Sequence, residues 1–393
     1  MVLLNKIKLL FSYVVYFIRA RKSWNIPKKN KVLIYDGVNA SVFLKYFPHK
    51  NPEILHVRGE QLNIWILFLS FFRRGKIKVA YEDCYIEHVC PKLIITFIDN
   101  NINFYSISQR HPSLKTLFIQ NGQRGYYADI FDTLDNIKSK NLDKLAVDYM
   151  LTFGAVIGNH YAHYITGAVI PLGSLKNNIL PRMNMMNTDK MVFISQWHKN
   201  GFNINQEFYS LERYTAQVDR PVIELLSKYA ELKNKNLMIV PRTSKDSKFR
   251  KMEKLYFTKL LGSEVKFIEP EGHYSSYQAI DIAEVVVSID STLGYESIAR
   301  GNKTAMFSIR GSLLGLKGLD FGWPGNFQDE GPFWTNNCNS DSFTRILDYL
   351  FTIGDMQWKN DLKKTDFSSL MVYNTDNSVL TDIIEREIYQ TLH

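Results

Sequence analysis

The chain has little of what marks several common protein classes. Its three cysteines, Cys84, Cys90 and Cys338, lack the even count of a disulfide framework and the paired spacing of a zinc site. They suit a reducing compartment. No run of about 20 apolar residues occurs, so no spanning helix is expected. No DxD-type carboxylate pair follows a strand in the second half, and internal repeats, low-complexity tracts and nucleic-acid-binding modules are missing. With 45% hydrophobic and 22% charged residues the composition excludes extensive disorder, and 393 residues suffice for two domains with separate cores.

What is present begins with a basic excess, a formal net charge of +9. The basic residues are dispersed, so the expected anionic partners are a phosphorylated substrate and an anionic membrane surface, not nucleic acid. Residues 1–30 have an apolar centre from Leu9 to Ile18 flanked by Lys6, Lys8, Arg19, Arg21 and Lys22. Basic residues stand where a signal peptide would need a small-residue cleavage site. The segment is either a basic amphipathic helix lying in a membrane interface or a helix packed on the first domain with solvated lysines. Gln61–Phe72, QLNIWILFLSFF, is apolar almost all round and too short to span. It is either a buried helix or a second membrane-facing surface.

From Lys31 onward short apolar runs alternate with helical segments, which predicts an α/β fold. The expected divisions are a first domain over 31–185, a second over 186–375 with the linker near 179–190, and a terminal helix over 376–393. In open α/β sheets ligands bind beyond the carboxyl ends of strands. KLIITFIDNN ends in Asp99, and TLFIQNGQRGYYAD ends in Asn121, followed by Arg124 and Asp129. These residues are a candidate catalytic edge, although Asp-Asn-Asn and Asn-Gly are also ordinary turn sequences. In the second half, strand ends present Ser195, Gln196 and His198, then Arg242, then Glu269 and His273.

The densest signal is Val285–Arg310, VVVSIDSTLGYESIARGNKTAMFSIR. It reads as a buried strand, N-cap oxygens at Asp290, Ser291 and Thr292, a helix from about Leu293 to Arg300 stopped by Gly301, and a second strand. Gly294 is expected to let backbone approach a ligand. Such a strand-to-helix turn binds anions, most naturally phosphate. Glu296, one helical turn after Thr292, is either a ribose-hydroxyl acceptor or an ordinary surface glutamate. Beyond Arg310 a glycine- and aromatic-rich stretch, GSLLGLKGLDFGWPGNFQDEGPFW, reads as a long loop near the cleft.

The run SIDSTLGYESIARGNKTAMF resembles the donor-binding segment of GT-B glycosyltransferases that build bacterial surface polysaccharides, with similar segments in Kdo transferases and teichoic acid glycerophosphotransferases. QNGQRG and VIPLGSLKNN resemble motifs of bacterial surface carbohydrate biosynthesis proteins, and the resemblance covers roughly Leu93 to Arg310. It implies two Rossmann-like domains facing a cleft, with the terminal helix crossing back to the first. Ser291 and Thr292 would hold donor phosphates, and Glu296 would contact the nucleotide sugar. Glu269 and Ser276 would read base or ribose. Sialyl and Kdo transferases often carry His-Pro where Val240-Pro241 stand here, so phosphate charge would fall to Arg242 or Lys245. The donor set is therefore Ser195, Arg242, Glu269, His273, Ser291, Thr292 and Glu296. The catalytic set is Asp99 as base, with Asp129 and Asp36 behind it, and Asn121 and Arg124.

The implied reaction is metal-independent and cofactor-free transfer from a nucleotide sugar, a CMP-linked acid sugar being favoured. The acceptor would be a growing glycan or lipid-linked glycan, met at the inner face of the cytoplasmic membrane. A polyol-phosphate transferase, a nucleotide-sugar 2-epimerase and a non-catalytic scaffold of the same pathway share this architecture.

Overall fold

The computed structural model describes residues 17–48, 51–127, 129–139, 145–182, 189–204, 207–268, 274–316 and 318–389. Its strands are β1 (Arg21–Ser23), β2 (Val32–Tyr35), β3 (Glu53–Leu55), β4 (Gln61–Asn63), β5 (Leu93–Thr96), β6 (Lys115–Ile119), β7 (Leu145–Thr152) and β8 (Ile165–Pro171). They continue with β9 (Lys190–Ile194), β10 (Phe202–Ile204), β11 (Glu207–Tyr209), β12 (Asn236–Val240), β13 (Val285–Ser288), β14 (Thr304–Phe307) and β15 (Trp334–Thr335). Two sheets organise the chain, in the orders β3-β2-β5-β6-β7-β8 and β12-β9-β13-β14-β15. Every pairing within both is parallel.

This is the architecture that the apolar runs require. Strands buried on both faces carry uninterrupted hydrophobic sequence, and parallel neighbours need a crossover. Every residue of β2, β5, β13 and β14 is at most 3% exposed. The edge strand β8, by contrast, exposes Thr166, Gly167 and Ala168 and tolerates Pro171 at its end.

The apolar segment Gln61–Phe72 is not one helix. Its first residues form β4, which pairs with β1. The Asn63 side chain then accepts the Ile66 N–H at 3.0 Å and starts helix α1 (Ile64–Ser70). This helix buries Ile66 and Ser70 and leaves Trp65, Phe68, Phe71 and Phe72 43–75% exposed. It lies beside α2 (Ile77–Val89). Residues 1–16 lie outside the described residues. Phe17–Arg19 are helical, but the helix expected over 1–30 does not continue, because Arg21–Ser23 pair as a strand with Gln61–Asn63.

Between the sheets the chain forms α3 (Leu175–Ile179), and the second sheet is flanked by α4 (Gln217–Leu232), α5 (Arg250–Leu261) and α6 (Thr292–Ala299). The terminal helix α7 (Ser378–Ile388) packs against the first sheet. Its Leu380, Ile383, Ile384 and Ile388, spaced as one helical face, join Val32, Ile34, Leu93, Ile95, Leu117 and Ile119 in a buried cluster.

Candidate active site

The second sheet has a topological switch: from β9 the chain goes to β12 on one side and later to β13 on the other. In such sheets the crevice opens where the connections diverge. A pocket of about 400 Å³ lies there. Ser195, Gln196 and His198 line it from the end of β9, Arg242 from the end of β12, and Asp290, Ser291 and Thr292 from the end of β13. The opposite wall is the segment after β6, with Gln123, Arg124, Tyr127 and Asp129. Leu319, Asp320 and Trp323 close a third side.

The turn into α6 has the expected form. The Ser291 N–H donates to Ser288 Oγ at 3.2 Å, and Ser291 Oγ accepts the Leu293 N–H at 3.3 Å as the helix cap. The helix stops at Gly301, whose φ is 86°. Thr292 Oγ1 accepts the Gln123 N–H at 2.8 Å, so the hydroxyl expected on phosphate also ties the QNGQRG segment to the second sheet. Gly294 serves packing, not ligand approach. A Cβ there would lie 2.5 Å from Ser288 Oγ and 2.9 Å from Met306 Sδ, so only glycine lets α6 seat on the strands.

The pocket lining sets two arginines, Arg124 and Arg242, among three aspartates, Asp129, Asp290 and Asp320. Arg242 is exposed and forms no salt bridge among the described residues. Its backbone N–H donates to Glu253 at 2.8 Å. The wholly buried Glu253 carboxylate also accepts from Ser195 Oγ at 2.6 Å and from the Thr243 N–H at 3.0 Å, and so clamps the ends of β9 and β12 together. Nothing in the sequence distinguishes Glu253 from other helix-face glutamates. Burial, reinforced by Arg242 and Arg310, pushes His198 down to about 4 and keeps its imidazole neutral. Arg310, 1% exposed, pairs through Nε with Asp290 Oδ2 at 2.7 Å and also donates to the Tyr214 carbonyl.

Of the expected catalytic set, Arg124 and Asp129 line the pocket, whereas Asp99 and Asn121 stand behind them. Asp99 has no exposure. Its carboxylate accepts from Arg124 Nε at 2.8 Å, the Tyr161 hydroxyl at 2.7 Å and the Asn121 N–H at 3.1 Å, with a further short contact from the guanidinium. An oxygen pair so occupied cannot take a proton from an acceptor hydroxyl, so Asp99 orients Arg124 and is not the base. Asn121 Oδ1 accepts from the same guanidinium at 2.6 Å. Asp129 accepts the Ile130 N–H at 2.8 Å and faces Arg124 at 3.4 Å; burial raises its proton affinity. Asp36, paired with Arg58 at 2.6 Å, is outside the pocket.

Glu296 is also outside the pocket lining. It is 6% exposed and accepts from the Tyr277 hydroxyl at 2.9 Å and from Ser174. The helix geometry that was expected to turn it towards a ligand instead turns it towards the first sheet's last segment. Burial pushes its carboxyl up to about 7. Arg300, one turn on, donates to the carbonyls of Asn177, Leu180 and Pro181 at 3.0–3.2 Å. The far end of α6 therefore fastens the chain where it leaves the first sheet. Ser276 and Lys245 do not line the pocket, and Glu269 and His273 lie outside the described residues.

Comparison with known proteins adds the family. Residues 117–388, more than half of the chain, match the profile of the family described as "putative O-antigen biosynthesis protein". The chain belongs to this family. None of the curated proteins matches it. Among solved structures, a variant of the wall teichoic acid polymerase TagF shares 10% identity over 92% of this chain and 90% of its own, with a TM-score of 0.51. A glycosyltransferase from Rickettsia africae is 13% identical over 92% and 100%, with a TM-score of 0.48. A UDP-GlcNAc 2-epimerase from Methanocaldococcus jannaschii is 9% identical over 93% and 99%, with a TM-score of 0.49. The TagF likeness concerns the fold: two Rossmann-like domains facing a cleft, the GT-B arrangement expected from the sequence.

Proposed function

We propose that this O-antigen biosynthesis protein is a glycosyltransferase that binds a nucleotide-activated sugar in the pocket between its sheets. A CMP-linked acid sugar is the favoured donor, and the acceptor is a growing glycan or lipid-linked glycan. The observation that carries the reading is the convergence of the α6 N-terminus, the Ser291 and Thr292 hydroxyls and Arg242, which forms no salt bridge among the described residues, on one pocket. Sugar transfer leaves negative charge on the departing phosphate. Donors already fixed at that position stabilise it without reorganising when the bond breaks. Arg242 and the helix N-terminus supply this charge from the protein, and the transfer needs neither a resident cofactor nor a metal.

A thermal-shift screen of the full chain against CMP, CDP, UDP and GDP tests the reading, because a ligand of the folded state raises apparent stability by mass action. One nucleotide is expected to raise the melting temperature, with the shift lost in Arg242→Ala. No shift with any nucleotide would overturn it. Label incorporated from the matching sugar nucleotide is expected to survive EDTA.

The acceptor side suggests where the protein works. Trp65, Phe68, Phe71 and Phe72 on and just after α1, with Phe17, Ile18 and Trp24 on the segment entering and leaving β1, are exposed apolar side chains. Arg19, Lys22, Arg73 and Arg74 are interspersed with them. Aromatic groups ringed by cations suit the headgroup region of an anionic bilayer. No helix among the described residues is long and apolar enough to cross a membrane. Peripheral attachment at the inner face of the cytoplasmic membrane fits these features.

A further inference from the structure

We propose that Asp320 is the group that takes the proton from the acceptor hydroxyl, and that with Tyr127, Leu319 and Trp323 it forms the acceptor subsite for a sugar ring. The inference rests on the glycosyltransferase reading above and names the side of the pocket that reading leaves unassigned.

It starts from what the other carboxylates are doing. Asp99 is saturated with donors, Asp129 faces Arg124, and Asp290 faces Arg310. Among the described residues Asp320 accepts no side-chain hydrogen bond and pairs with no cation, yet it lines the pocket. It also occupies a fixed position. The Phe321 N–H donates to Asn336 Oδ1 at 2.8 Å and the Gly322 N–H to the Tyr295 hydroxyl at 3.2 Å. The Phe321 ring stacks between Tyr295 at 5.6 Å and Trp334 at 4.7 Å. A Cβ on Gly311 would come within 2.6 Å of Asp320 Oδ1, so the carboxylate rests against bare backbone. Burial, with Asp329 nearby, raises its proton affinity, as a base near neutral pH requires.

The surroundings fit a carbohydrate. The 318–323 segment leans on the wall after β6: a Cβ on Gly125 would lie 3.0 Å from Leu319 Cδ2, and the Trp323 ring is 6.4 Å from that of Tyr126. Aromatic and aliphatic side chains therefore line the same pocket as the α6 N-terminus and as a carboxylate that has no partner among the described residues. Sugar rings offer a C–H face to an aromatic ring and hydroxyls to an acceptor; a polyol phosphate offers no such face and would meet an uncompensated carboxylate.

The step balances without another reactant. The acceptor O–H proton passes to the Asp320 carboxylate as the oxygen bonds to the anomeric carbon. The bond from that carbon to the phosphate oxygen breaks, and its electron pair leaves on the phosphate facing Ser291, Thr292 and Arg242. Asp320 then releases the proton to solvent.

The test uses membranes carrying the full chain and radiolabelled CMP-, CDP-, UDP- and GDP-linked sugars, with label followed into extractable glycan. Asp320→Asn is expected to lower the rate by about 100-fold or more while the nucleotide-induced melting shift persists. The wild-type rate is expected to fall on acidification with a midpoint above the usual carboxylate range, a limb absent from the residual activity of Asp320→Asn. The titratable and charged groups around Asp320 are Asp329 and Tyr295, which act on it directly, and Asp290, Asp129, Arg124, His198 and Arg242 in the pocket lining, with Arg310 behind Asp290. The Asn comparison therefore assigns the limb. Asp320→Glu, which keeps the carboxylate, is expected to recover part of the rate and stands in for the amide if that variant folds poorly. Trp323→Ala is expected to raise the acceptor KM more than it lowers kcat. A rate for Asp320→Asn within a few-fold of wild type, or an unchanged acid limb, would overturn the assignment and leave the transferase reading intact. Wild-type membranes inactive with every donor would overturn the transferase reading itself.

Discussion

Around the pocket single side chains act in pairs, and the cost of removing one depends on what its partner is left facing. Asp99 balances the buried Arg124. Asp99→Asn should lower stability by about 3 kcal/mol, read by urea denaturation, because a buried charge then loses its closer counter-ion and keeps only Asp129 at 3.4 Å. Thr292→Ala leaves the Gln123 N–H without its acceptor. It should cost about 1–3 kcal/mol and weaken nucleotide binding together, whereas Arg242→Ala should weaken binding with little change in stability. Glu296 predicts a pH dependence. Its folded carboxyl sits at about 7, above the usual carboxylate value, so the folded state takes up a proton that the unfolded state does not. Its contribution to stability rises as pH falls from 7 towards 4.5. Glu296→Gln should flatten the pH dependence of stability over that range, read by urea denaturation, and an unchanged dependence would show that the carboxyl is not held as described.

Among the elements, α6 shows how one helix serves two purposes. Its N-terminus faces the pocket, and its last turn fastens the exit from the first sheet through Glu296 and Arg300. Gly294→Ala would press a methyl group into Ser288 and Met306 and should destabilise by about 1–3 kcal/mol. Helix α1 differs, since its Trp65 and Phe68 stay 43% and 52% exposed among the described residues. Phe68→Glu with Phe72→Glu should reduce flotation with anionic vesicles while the melting temperature and nucleotide shift stay unchanged. Vesicle binding of the wild type should weaken at high salt, because its electrostatic part is screened. Equal flotation of variant and wild type would remove this face as the attachment site.

At the scale of the molecule, the pocket exists because two sheets present their carboxyl ends to each other and the chain is fastened across them more than once. After the second sheet the chain returns to the first, where the apolar face of α7 covers β2, β5 and β6. Ile384→Ala on that helix should cost about 2–5 kcal/mol although it lies far from any ligand group.

The sequence alone determined what depends on neighbours in the chain. Uninterrupted apolar runs such as Val285–Val287 specify buried parallel strands. A serine-threonine turn before a helix specifies its N-cap, and a glycine after it specifies the stop. Ser195, Arg242, Ser291, Thr292, Arg124 and Asp129 could thus be named from strand ends, and all line the pocket. Tertiary structure decided which polar groups are already occupied. Asp99, at an equally good strand end, is taken up by Arg124 and Tyr161, and Glu296 by Ser174 and Tyr277. Glu253 clamps two strands from a helix whose sequence looks ordinary, and Asp320 acquires its place from a loop with no periodicity to read. Strand and helix patterns are local and repeat along the chain. Whether a carboxylate is free to do chemistry depends on donors tens or hundreds of residues away, brought to it only when the two sheets meet.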